Sequence, residues 1–70
     1  MSAPKYWEII ADQISAGGWS IGWIRFEMRD FTGWKVDAHK DGQRHEVIAE
    51  EIETAFLELR ESIRRVVSAD

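Results

Sequence analysis

The chain has 70 residues, 44% hydrophobic and 31% charged, with a formal net charge of −4. That length fits one domain near the lower size limit for an unaided core, since a domain this small buries only about 60% of its unfolded surface. The composition excludes a disordered chain, the lack of cysteine excludes a disulfide framework and a Cys-based zinc site, and the acidic balance argues against nucleic acid and anionic membranes as partners.

Four Trp, three Phe and one Tyr offset the small size, because each aromatic can bury roughly 150–250 Å². No apolar run approaches the ~18 residues of a membrane span, and the opening MSAPKYWEII lacks the basic-then-apolar layout of a signal peptide. A cytoplasmic location is the expectation.

Taken in chain order, Ser2 is a candidate N-cap and Pro4 suits a first helical turn, where a missing N–H costs nothing. A helix is predicted over about 4–16. Trp7, Ile10, Ala11 and Ile14 form a buried stripe at helical spacing, flanked by Tyr6 and Ile9, while Glu8 and Asp12 fall away from it. Gly17-Gly18 ends the helix, because glycine reaches the left-handed conformation cheaply.

A first strand is predicted over about 19–28, and its alternation changes phase midway. Trp19, Ile21 and Trp23 are odd; Ile24, Phe26 and Met28 are even. A regular strand cannot place both sets on one face. Either a bulge sits near Gly22 or the strand is apolar on opposite faces at its two ends.

A second strand is predicted over about 34–40 and a third over about 43–48. Trp34, Val36 and Ala38 take one face of the second strand; Lys35, Asp37 and His39 take the other. Asp41-Gly42 is a type I′ hairpin signal. It pairs Lys40 with Gln43, Ala38 with His45 and Val36 with Val47, so that His39 faces Arg44 and Asp37 faces Glu46.

Charge selects the register of the first hairpin. With Ile24, Phe26 and Met28 on the core side, the loop must be odd in length. A loop over 29–33 pairs Met28 with Trp34, Phe26 with Val36 and Ile24 with Ala38. It also sets Glu27 opposite Lys35, Arg25 opposite Asp37 and Trp23 opposite His39. The shorter odd loop sets Glu27 against Asp37 and Arg29 against Lys35, and like-charge pairs lose the roughly 0.2–1 kcal/mol that a good cross-strand pair supplies. The longer loop is therefore expected.

The last element is a helix over about 50–67. Ile52, Phe56, Leu59, Ile63 and Val66 form its stripe, with Ala55 leaving room for close approach. Glu50, Glu51 and Glu53 at its start and Arg60, Arg64 and Arg65 toward its end complement the helix dipole. Glu61 and Arg65 add an i,i+4 pair.

These elements give an α-β-β-β-α chain: a three-stranded antiparallel meander with two helices on one face, a two-layer α+β domain. The expected core face holds Ile24, Phe26, Met28, Trp34, Val36, Ala38 and Val47. The expected open face holds Trp23, Arg25, Glu27, Lys35, Asp37, His39, Arg44, Glu46 and Ile48. The topology is similar to that of the double-stranded RNA-binding domain, a likeness of fold alone. Those domains hold phosphates with lysines at the start of the second helix. Here Glu50, Glu51 and Glu53 stand there, which disfavours RNA binding of that kind.

The segments YWEIIAD at 6–12, GWS at 18–20, Gly22, DAH at 37–39, Asp41-Gly42 and TAFLEL at 54–59 span most of the chain. This pattern resembles a family of short bacterial proteins of about this length. The chain departs from that family's pattern at Lys35, where an aliphatic residue is more usual, and at Ile52-Glu53. The resemblance implies a bacterial protein of one domain and supplies no activity.

The candidate site on the open face is a row of Trp23, His39 and Arg44, with Arg25 and Asp37 in the next row. A carboxylate beside an imidazole can orient it or hold its proton. The plainer reading is a mixed-charge surface ladder, since exposed ion pairs are common and weak. No cysteine is present and Ser20 lies a few residues from the row, so no catalytic residue is assigned. His39 and His45 fall on opposite faces, and Asp37 with His39 gives fewer ligands than the roughly four a structural zinc site takes. No Gly-rich phosphate loop occurs, and neither metal nor cofactor is expected. Trp19, Ile21 and Ile48 make a candidate apolar contact patch at one end of the open face, unless the first helix or its Gly-Gly turn folds over the tryptophans. The expected function is a small non-enzymatic binding or protein-interaction module, with homodimerisation through the open sheet face or a strand edge. A nucleic-acid-binding module is the alternative by topology.

Overall fold

The computed structural model describes residues 5–68, and side chains over 5–65. The elements run α1 (Tyr6–Ala16), β1 (Ser20–Met28), β2 (Phe31–Lys40), β3 (Gln43–Ala49) and α2 (Ile52–Ser68). The strands form one antiparallel sheet in the order β1-β2-β3, and both helices cover the same face of it. The domain is α+β, with the expected element order.

In α1, Ile10, Ala11 and Ile14 are buried and Trp7 packs beside them, as the stripe predicts. The helix begins at Tyr6 with Lys5 as an extended N-cap that makes no side-chain cap; Ser2 and Pro4 lie outside the described residues. Its end is closed by the Gly17 N–H on Ile14 O and the Gly18 N–H on Ser15 O, each 3.0 Å. The left-handed residue is Gly18, at φ 93°. Lys40 Nζ donates to Gly17 O at 2.8 Å and stands 5.8 Å from the centre of the Trp19 ring. The far end of β2 is thereby tied to the turn that follows α1.

In α2, Ala55, Phe56, Leu59 and Ile63 are buried, and the Val66 side chain lies outside the described residues. Phe56, Ile10, Leu59 and Val36 are the largest fully buried side chains and occupy the centre of the layer between sheet and helices. The helix begins at Ile52, so Glu50 and Glu51 precede it and Glu53 alone falls in its first turn. Glu61 pairs with Arg64 at 3.8 Å rather than with Arg65, an i,i+3 pair of similar strength to the expected i,i+4 one.

The β2–β3 hairpin has the expected register throughout, from Lys40↔Gln43 to Val36↔Val47. Asp41 and Gly42 have φ of 51° and 83°, as a type I′ turn requires.

The β1–β2 hairpin corrects the sequence reading. Its pairs run Met28↔Phe31, Phe26↔Gly33, Ile24↔Lys35, Trp23↔Val36, Ile21↔Ala38 and Ser20↔His39. The turn is Arg29-Asp30, not a loop over 29–33, and β2 begins at Phe31. The register is continuous past Gly22, so there is no bulge. β1 is apolar on opposite faces at its two ends, the second of the two alternatives. Ile21 and Trp23 face the helices; Ile24, Phe26 and Met28 face away from them. The cause is aromatic packing. The Trp23 ring meets Trp7 edge-on at 5.4 Å and Phe56 at 5.9 Å, and Trp7 stacks on Phe56 at 5.6 Å. Each such contact contributes about 0.5–1.5 kcal/mol beyond area burial, more than the surface ion pairs that favoured the other register.

Candidate interaction surface

Side-chain alternation and the two registers fix what the uncovered face of the sheet displays. Across the strands its rows are Ser20–His39–Arg44, Gly22–Asp37–Glu46, Ile24–Lys35–Ile48, Phe26–Gly33 and Met28–Phe31. One half is therefore polar and the other apolar.

In the polar half, Asp37 Oδ2 lies 3.9 Å from both His39 Nδ1 and Arg44 Nε. Glu46 Oε2 is 3.3 Å from both Lys35 Nζ and Arg44 Nη2. Asp37 leans over Gly22: a Cβ added at Gly22 would meet Asp37 Oδ1 at 3.1 Å. The structure thus brings Asp37, His39 and Arg44 together on the open face, as the sequence suggested. Ser20 stands directly across from His39, which aligns Ser20, His39 and Asp37 on one surface. Among the described residues no hydrogen bond joins them, and 3.9 Å is too long for Asp37 to orient the imidazole. The His39 side chain is 62% exposed, and beside it Gly22, Asp37 and Arg44 line an open depression of about 310 Å³. The group reads as a surface ion-pair cluster.

In the apolar half, Ile24, Met28 and Ile48 are 57%, 63% and 49% exposed. Phe26 and Phe31 meet edge-on at 6.2 Å. The Phe31 ring lies over Gly33, where an added Cβ would stand 2.7 Å from Phe31 Cζ and against the Ala49 carbonyl. An aromatic covering a strand glycine in this way restores the packing that the missing side chain forfeits.

Two expected members of the site are elsewhere. Trp23 and Arg25 lie on the helix side of the sheet, across from Val36 and Trp34; Arg25 sits over the Trp34 ring at 5.9 Å and 3.9 Å from Glu27. Of the expected apolar patch, only Ile48 is on the open face. Trp19 and Ile21 pack against the core from the helix side, where the Trp19 ring meets His45 at 5.4 Å. His45 also hydrogen-bonds Ser62 through Nδ1 and Oγ, 2.7 Å apart, an anchor between β3 and α2 that no spacing rule exposes. Ile24, Phe26 and Met28, expected on the core face, and Phe31, expected in the loop, are open-face residues; the phase change in β1 is the signal that one apolar set must face outward.

On the helix side, two open grooves of about 480 and 470 Å³ flank α1. Gln13 and Arg60 bridge the first through a 2.8 Å hydrogen bond, and Trp7 and Trp23 line the second. Among the described residues no helix is long and apolar enough to cross a membrane. The chain has no match among protein-family models, curated proteins or solved structures.

Proposed function

We propose that this protein is a small non-enzymatic interaction module that self-associates along the β1 edge of its sheet, where the uncovered face is apolar. The observation that carries this reading is the apolar half of the open face. Ile24 and Met28 are 57% and 63% exposed there, on either side of Phe26 along β1, and together expose on the order of 200 Å² of apolar surface. Surface of this kind marks contact sites, and both signs of charge beside it supply a rim. A nucleic-acid role has no comparable support, since the helix 2 entrance carries Glu50, Glu51 and Glu53. The proposal includes a cytoplasmic location, which the lack of cysteine supports because small secreted domains rely on disulfides, and kinship with the short bacterial family its motifs resemble. Sedimentation velocity over a concentration series tests it. The wild-type protein should associate as concentration rises, and Met28→Lys should shift that equilibrium toward monomer. A wild-type monomer at every concentration refutes the reading.

A further inference from the structure

We infer that the partner is a second copy of this chain, paired edge to edge through β1 in one register, with Phe26 on the two-fold axis. The inference rests on the interaction-module reading above and specifies its contact.

β1 is an edge strand, and unpaired edges are templates for another strand. The tight Arg29-Asp30 turn makes Met28 and Phe31 a hydrogen-bonded pair. Alternate residues follow: Ile24, Phe26 and Met28 direct their N–H and C=O to β2, and Trp23, Arg25 and Glu27 direct theirs to the free edge. A second β1 running antiparallel meets these groups while keeping the helices of both copies on one side only if the axis passes through a residue.

Three central registers satisfy that condition. An axis at Ile24 sets Phe26 against Gly22 and Glu27 against Ile21. An axis at Arg25 sets Arg25 against itself. An axis at Phe26 sets Arg25 against the partner's Glu27, Glu27 against the partner's Arg25, Ile24 against the partner's Met28, and Phe26 against itself. The segment Ile24-Arg25-Phe26-Glu27-Met28 is thus self-complementary when antiparallel: apolar on the open face, opposite in charge on the other. Arg25 and Glu27 can reach these partners, with side chains 62% and 69% exposed and a long contact of 3.9 Å between them. Edge charges normally repel a second strand; in this order they select one. The β3 edge offers a similar Arg44–Glu46 pairing about His45. There, however, both charges already meet within the chain at 3.3 Å, and Ile48 would face only Gly42. The product of β1 pairing is a continuous six-stranded sheet in which the two apolar half-faces meet at the axis.

Light scattering on charge variants tests the register. Arg25→Glu and Glu27→Arg should each weaken self-association by about tenfold or more, because two attractive pairs become repulsive. An equimolar mixture of the two should restore the dimer, as should the double variant Arg25→Glu/Glu27→Arg. Arg44→Glu should leave it intact. Because the chain has no cysteine, Phe26→Cys should also form a disulfide dimer on mild oxidation, the axial pair being non-hydrogen-bonded and close. A dimer indifferent to both single reversals, or a mixture that stays monomeric, overturns the register and leaves the interaction reading standing. A wild-type monomer throughout removes both.

Discussion

The placement of β1 makes an unequal prediction for two neighbouring residues, Trp23 and Ile24. Trp23 is 44% exposed, so somewhat more than half of a large aromatic surface is buried. Roughly 120 Å² at about 25 cal/mol/Å² gives about 3 kcal/mol, an upper figure because unfolded chains are partly collapsed. Its edge contacts with Trp7 and Phe56 at 5.4 and 5.9 Å add to this, and Trp23→Ala should cost about 2–4 kcal/mol. Ile24 is 57% exposed on the open face, so Ile24→Ala should cost about 1 kcal/mol or less. Urea unfolding followed by far-ultraviolet circular dichroism reads both, at protein concentrations low enough that association does not contribute. With a slope near 1 kcal/mol/M for so small a domain, the Trp23→Ala midpoint should fall by about 2 M or more. The opposite ranking is what a loop over 29–33 would produce, with Ile24 in the core and Trp23 in solvent. Ile24→Ala proving the more damaging change would refute the register.

Gly33→Ala should destabilise by about 2 kcal/mol or more in the same assay, because the new methyl meets the Ala49 carbonyl and the Phe31 ring in a packed site with little room to relax. Gly42→Ala has open space around it, so its loss of about 1 kcal/mol should reflect the φ of 83° alone. Ser62→Ala removes the 2.7 Å partner of His45 and should cost about 1 kcal/mol; a double change with His45→Phe should be less than additive in unfolding measurements.

Much of the fold was legible in the sequence, and the exceptions share one cause. The stripes of α1 and α2 have strict helical spacing, and burial of Ile10, Ile14, Phe56 and Leu59 follows from it. The β2–β3 register was legible because Asp41-Gly42 encodes its turn chemically, and with it the meeting of Asp37, His39 and Arg44. The Arg29-Asp30 turn has no such code: neither residue has a positive φ and neither is glycine. Without a turn signal, the register depends on which apolar set is taken as core, and with Ile24, Phe26 and Met28 there charge pairing favours the longer loop. Burial of Trp23 against Trp7 and Phe56 carries more free energy than those ion pairs, and it turns the apolar even residues outward. The strand's phase change was visible; which half faces the helices depends on long-range aromatic contacts that no local pattern contains. The apolar half of the open face is hidden for the same reason, since Ile24, Phe26 and Met28 alternate with Arg25 and Glu27 as they would on a core-facing strand.

The most direct test of self-association through the uncovered β1 side is a concentration series of amide and methyl NMR spectra. The account predicts concentration-dependent shifts at the amides of Trp23, Arg25 and Glu27 and at the methyls of Ile24 and Met28, with β3 and the outer faces of the helices unchanged. Spectra that do not change with concentration, or that change along β3 instead, would contradict it.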